Sequence, residues 1–139
     1  MQIKNFEDLE IWKDARHLTR EIYNLSNAPK FSKDFALRDQ MRRAAVSIMS
    51  NIAEGYERGG NQEFVQYLYI AKGSCGEIRS QLYVALDQEY VERKTADSLL
   101  ITLKRLSVMI KHLIDHLKRS GMRGPKYGNS TQPRPSETV

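Results

Sequence analysis

The sequence predicts an all-α protein, an antiparallel up-down-up-down four-helix bundle. Three observations carry that prediction. Apolar residues recur at helical spacing in four blocks, turn-forming residues separate the blocks, and nothing in the chain reads as a strand. Long amphipathic helices joined by short links favour antiparallel neighbours, because a short link leaves no room for a crossover.

The first helix is predicted over residues 6–26, with Asn5 as its cap and Ile11, Ala15, Leu18, Ile22 and Leu25 along one face. Asn27-Ala28-Pro29 ends it, since proline disfavours helix in the residue before it. The second helix opens at Ser32, a good N-cap type, and runs to residue 58 with a stripe of Leu37, Met41, Ala44, Ile48 and Ile52. Gly59-Gly60-Asn61 breaks the chain and places Asn61 to cap the third helix, whose inner face is Phe64, Leu68, Ala71, Cys75, Ile78, Leu82 and Leu86. A link at 89–94 leads to Thr95 as cap of the fourth. Its seam is Leu99, Leu103, Leu106, Ile110, Leu113 and Leu117. The bundle domain is therefore 1–120. From Gly121 onward Gly124, Pro125, Gly128, Pro133 and Pro135 stand among polar residues, and 121–139 is predicted to be a disordered basic tail.

A chain of 139 residues is long enough for one domain with a real core, and 40% hydrophobic with 28% charged residues is a globular composition. No apolar stretch is long enough for a bilayer and no signal-peptide pattern opens the chain, which points to a cytoplasmic protein with no membrane partner. The single cysteine, Cys75, excludes a disulfide framework and a Cys-rich metal site. On an apolar stripe it serves as a small hydrophobe.

The net charge of +5 is unevenly spread. Residues 5–26 and 61–90 each carry −2, whereas 30–58 carry +2 and 92–120 carry +4, with seven basic and three acidic side chains. The excess at the C-terminal end rests on Arg93, Lys94, Lys104, Arg105, Lys111, Lys118 and Arg119. Lys104, Arg105, Lys111, Lys118 and Arg119 cover the arc of the fourth helix opposite its leucine seam, a pattern suited to phosphate contacts with RNA or DNA. A solvated helix face carries the same pattern.

Apolar residues also lie outside the single stripes: Val46, Met49 and Ala53 on helix 2, Trp12 and Tyr23 beside Thr19 on helix 1, and Ile70 and Val84 on helix 3. Such side stripes mark an interface, most economically with further copies of the chain, or else tilted helices that bury more of their circumference. Helix 2 bears a polar line of Arg43, Ser47, Asn51 and Glu54, and helix 3 a matching flank of Ser74, Glu77 and Gln81. If the flanks face each other, Arg43 pairs with Glu77 and Asn51 bridges backbone or Ser74, fixing helix register or an interface rather than performing chemistry. Mid-helix Gly73 and Gly76 are expected where a neighbouring helix approaches closely.

Catalytic and metal chemistry find no matching constellation. His112 and His116 are one turn apart, but Arg105 and Arg119 share their face and would repel a cation. Asp14 and His17 supply one Asp-x-x-His pair, where a di-iron bundle needs paired motifs and further inward glutamates. No Ser or Cys is set with a His and an acid to form a triad. The turn Arg58-Gly59-Gly60-Asn61 lacks the spacing and lysine of a phosphate-binding loop. The expectation is a protein without catalytic residues or cofactors.

Several stretches together carry a family resemblance: Phe6-Glu7-Asp8-Leu9-Glu10-Ile11-Trp12-Lys13, then Leu37-Arg38-Asp39-Gln40-Met41-Arg42-Arg43-Ala44-Ala45-Val46-Ser47-Ile48, Asn51-Ile52-Ala53-Glu54-Gly55, Glu63-Phe64, Ala71-Lys72-Gly73-Ser74 and Glu77. Over residues 6–117 the chain resembles the bacterial four-helix proteins known as 23S rRNA intervening-sequence proteins. The resemblance implies a homopentamer and a gene often found within insertions in large-subunit ribosomal RNA genes. It also implies kinship with a branch that acts as accessory protein to a reverse transcriptase in retroelements. No catalytic residues come with it. The leading expectation is a non-enzymatic homo-oligomer that binds RNA or DNA. The alternative is a protein-interaction scaffold, for example a reverse-transcriptase partner.

Overall fold

The computed structural model describes residues 2–123, with side chains for 2–120. Among these residues it is all-helical, with four long helices and no strand: α1 (Glu10–Leu25), α2 (Phe35–Glu57), α3 (Asn61–Asp87) and α4 (Arg93–Arg123). Each packs against its sequence neighbours and α1 also touches α4, so the four enclose one core. Ser47 sits beside Ser74 and Gly55 beside Tyr67, so the partners on α3 fall back along the chain as α2 advances. The start of α3 meets the end of α4, where Asn61 Nδ2 donates to the Leu117 carbonyl at 3.4 Å.

The apolar stripes are the core. Ile11, Leu18 and Ile22, then Met41, Ile48 and Ile52, then Leu68, Ile78 and Leu82, then Leu103, Leu106 and Ile110 are all buried. Leu25 and Leu86, at helix ends, are only half-buried. Gly55 brings α2 close to α3, because a Cβ there would lie 2.7 Å from Tyr67 Cβ and 2.9 Å from the Phe64 ring.

The helix starts differ from expectation, each for a local reason. Residues Phe6–Asp8 form a separate 3-10 turn rather than the opening of α1. The Asp8 carboxylate accepts from the backbone N–H groups of Lys4 and Asn5, both at 3.0 Å, and these bonds hold its pKa below the ordinary value. Extended Leu9 then turns its side chain fully into the core. Likewise Ser32 belongs to a 3-10 turn, Phe31–Lys33, and Asp34 caps α2 by accepting from Leu37 N at 3.1 Å. Buried Phe31 stacks on Tyr90 at 5.1 Å, and Tyr90 Oη donates to Asp34 at 2.9 Å. Gly60, not Asn61, caps α3, and α4 begins at Arg93 rather than Thr95. At its far end α4 continues through Gly121 to Arg123, while 124–139 of the predicted tail lie outside the described residues.

The end of α3 is a Schellman motif. Tyr90 N donates to the Ala85 carbonyl at 2.9 Å and Glu89 N to that of Leu86 at 3.0 Å, with Glu89 at a φ of 59°. Glycine adopts this conformation without the Cβ clash that glutamate suffers. Glu89→Gly is therefore expected to stabilise the subunit by about 1 kcal/mol in denaturant unfolding. An unchanged or lowered midpoint would show that Glu89 is not strained.

Candidate nucleic-acid interface

α4 turns its leucine seam inward, which fixes its opposite arc toward solvent. Arg93, Lys94, Lys104, Arg105, Lys111, Lys118 and Arg119 are all exposed there, so the structure gathers every basic residue singled out on this helix onto one surface. At about 100° per residue they form two rows. Arg93, Lys104, Lys111 and Lys118 make one, and Lys94, Arg105 and Arg119 the other, with exposed His112 completing the second. Seven-residue steps separate Lys104, Lys111 and Lys118, and likewise Arg105, His112 and Arg119, by roughly 10 Å each along the axis. In the sequence His112 stands out only for its metal-like spacing from His116; its place in the basic row follows from the same helical wheel.

These cations are not equivalent. Lys111 Nζ binds Asp115 at 2.6 Å, which holds the lysine pKa above and the carboxyl pKa below their ordinary values. Arg93 pairs with Asp97 at 3.3 Å, and Lys118 Nζ donates to Tyr69 Oη at 2.8 Å on α3. Among the described residues Lys94, Lys104, Arg105 and Arg119 have no ion-pair partner within contact distance. Between the rows stand two exposed apolar side chains, Ile101 and Val108. An arc of this kind offers hydrated cations to a polyanion.

The second predicted constellation is assembled only in part. Ser74 Oγ donates to Ser47 Oγ at 3.0 Å, and Asn51 Nδ2 donates to the Ser47 carbonyl at 2.8 Å and its hydroxyl at 3.0 Å. The Ser47–Ser74 bond joins α2 to α3, whereas both bonds of Asn51 stay within α2. Glu54 instead turns to Arg58 Nη2 at 2.8 Å and Tyr67 Oη at 3.3 Å, and the bond from Arg58 holds its pKa down. The expected Arg43–Glu77 pair is not formed. Both side chains are exposed, and Glu77 accepts from Gln81 Nε2 at 3.4 Å instead. Two hydrated ends of long side chains gain little by meeting in water.

Cys75 is buried, which pushes its thiol up to about 12 and leaves it unreactive. No group of three or more His, Cys, Asp or Glu side chains able to hold a metal occurs among the described residues. No described helix is long and apolar enough to cross a membrane. Gly73 and Gly76 have no neighbour within 4 Å of where a Cβ would stand, so the close approach expected for them does not occur inside the chain.

The fold is shared with a solved protein of unknown function from the S23 ribosomal protein family of Bacteroides thetaiotaomicron. The two superpose with a TM-score of 0.70 at 21% identity, covering 76% of this chain and 95% of that one. No curated protein matches the chain. The family described as 23S rRNA-intervening sequence protein matches residues 7–112, and the chain belongs to it.

Proposed function

We propose that the chain is a non-enzymatic homo-oligomer that binds RNA through the exposed basic arc of α4, acting in the cytoplasm. The subunit is an antiparallel up-down-up-down bundle, a reading supported by the Ser47–Ser74 and Asn61–Leu117 pairings, and five copies form the assembly that the family resemblance implies. The observation that carries the binding reading is the two-row array of cations on one helix face, four of them without an ion-pair partner in the described structure. Phosphate contacts by such side chains give affinity without sequence readout, and repetition in an oligomer multiplies weak contacts.

A mobility-shift series with a structured RNA tests this. With about five phosphates contacted, log Kd is expected to rise with log salt at a slope of about 4, weakening binding a hundredfold or more between 50 and 200 mM. Absence of binding at low salt, or binding indifferent to salt, overturns the electrostatic reading. Tighter binding to duplex DNA would reassign the ligand.

Ile101, 65% exposed, and Val108 favour a second reading, because apolar side chains between cations suit a protein partner better than a phosphate backbone. On that reading the chain is a scaffold or accessory protein, for instance to a reverse transcriptase. Co-purification of one protein without nucleic acid, lost in Ile101→Lys, would select it.

A further inference from the structure

One helix face carries core-like spacing on the wrong side of the bundle. On α3, Tyr69, Gly73, Gly76, Ser80 and Tyr83 succeed one another at steps of four, three, four and three, the spacing of a helix-packing seam. All five are exposed, or nearly so, and Ile70 and Val84 flank them at 52% and 44% exposure. The glycines sharpen the anomaly. Each sits in mid-helix, where glycine is less favourable than alanine, yet neither has a positive φ nor any neighbour within 4 Å. Nothing in the subunit's own fold requires them. A helix backbone packed directly against the line would.

We propose that this α3 line is the seam on which a second copy of the chain docks through its α1–α2 groove, a proposal that rests on the homo-oligomeric reading above. The groove has a volume of about 560 Å³, and its lining includes Tyr23 and Val46, both exposed, with Arg42 and Arg43. Charge selects this occupant. The fully exposed charges of α3 are Glu77 and Asp87, while Lys72 and Arg79 beside the line are half-buried, and residues 61–90 carry −2. Residues 30–58, which supply the arginines of the groove, carry +2. Arg43 has no ion pair among the described residues, and Asp39, the acid in the groove, is already held by Arg38 at 2.9 Å. The Arg43–Glu77 pair absent within the subunit thus forms between subunits. Because the two docking sides differ, the contact propagates around a ring; it reaches Lys118, which is bonded to Tyr69 of the seam.

Light scattering on a gel-filtration column, with circular dichroism on the same samples, tests the seam. The wild type is expected to hold several subunits. Gly73→Ala with Gly76→Ala keeps full helicity, because the added methyls meet nothing in their own subunit, but requires at least tenfold higher concentration to assemble. Gly76→Arg abolishes assembly. Arg43→Glu weakens assembly, and adding Glu77→Arg restores it. If the glycine variants assemble like an assembling wild type, the seam is wrong and the oligomer stands on another face. Assembly untouched by Arg43→Glu removes the groove as its partner. A monomeric wild type overturns the homo-oligomeric reading itself and this contact with it.

Discussion

Replacing Lys104, Arg105, Lys111, Lys118 and Arg119 together with glutamine is expected to weaken RNA binding at low salt by a hundredfold or more. It should also flatten the salt slope by about four, close to one unit for each phosphate no longer neutralised. The fold should survive, since all five side chains are exposed and the broken contacts, Lys111–Asp115 and Lys118–Tyr69, are surface interactions worth ~1 kcal/mol or less each. A control of opposite sign accompanies it. Asp115→Asn removes a carboxylate from the arc and releases Lys111, so it should tighten binding at low salt. Arg93→Gln should matter least, because Asp97 already offsets that charge. Filter binding across a salt series measures all three. Unchanged affinity in the fivefold variant would end the case for α4 as the RNA surface.

That surface is legible in the sequence because a helix converts spacing into direction: once Leu99, Leu103 and Leu106 point inward, Lys104 and Arg105 point outward. The same logic places most of the core. It fails where the chain is not α-helical. Leu9 and Phe31 enter the core from a link and a 3-10 turn, to which a helical period assigns no face. Caps slip by one to three residues because Ser32, Asp34, Asn61 and Thr95 are all suitable types, and the burial of Phe31 decides which side chain stands at the helix start. In the polar network, range makes the difference. Ser47, Ser74 and Asn51 have short side chains fixed close to the backbone, so helix register alone brings them together. Arg43 and Glu77 end on long, solvated stems that register does not position. The α1 side stripe reads as spare surface in the sequence, yet Thr19 Oγ1 donates to the Ala45 carbonyl of α2 at 3.2 Å and the Arg42 guanidinium lies 4.7 Å from the Tyr23 ring centroid. On α3, Ile70 and Val84 stay exposed.

Glycines, which a sequence presents as identical, have opposite consequences at different points of this fold, and Gly55→Ala shows the contrast most sharply. At an open helical site alanine is better than glycine by about 1 kcal/mol. At Gly55 the added methyl would stand 2.7 Å from Tyr67 Cβ, an atom fixed to the α3 backbone, where carbon atoms prefer roughly 3.5–4.0 Å. Rotating a side chain cannot relieve that contact, so α2 and α3 must separate by close to 1 Å, stretching the neighbouring Tyr56–Phe64 ring contact and then the Ser47–Ser74 bond. Overpacking of this kind costs about 3 kcal/mol, and after the helix gain the subunit is expected to lose about 2 kcal/mol. For a domain of this size that lowers Tm by roughly 8 °C, whereas Gly73→Ala measured at monomeric concentration should raise it. Thermal unfolding of the two variants side by side reads both signs. A rise in Tm for Gly55→Ala would mean that α2 and α3 are not held as closely as Gly55 allows.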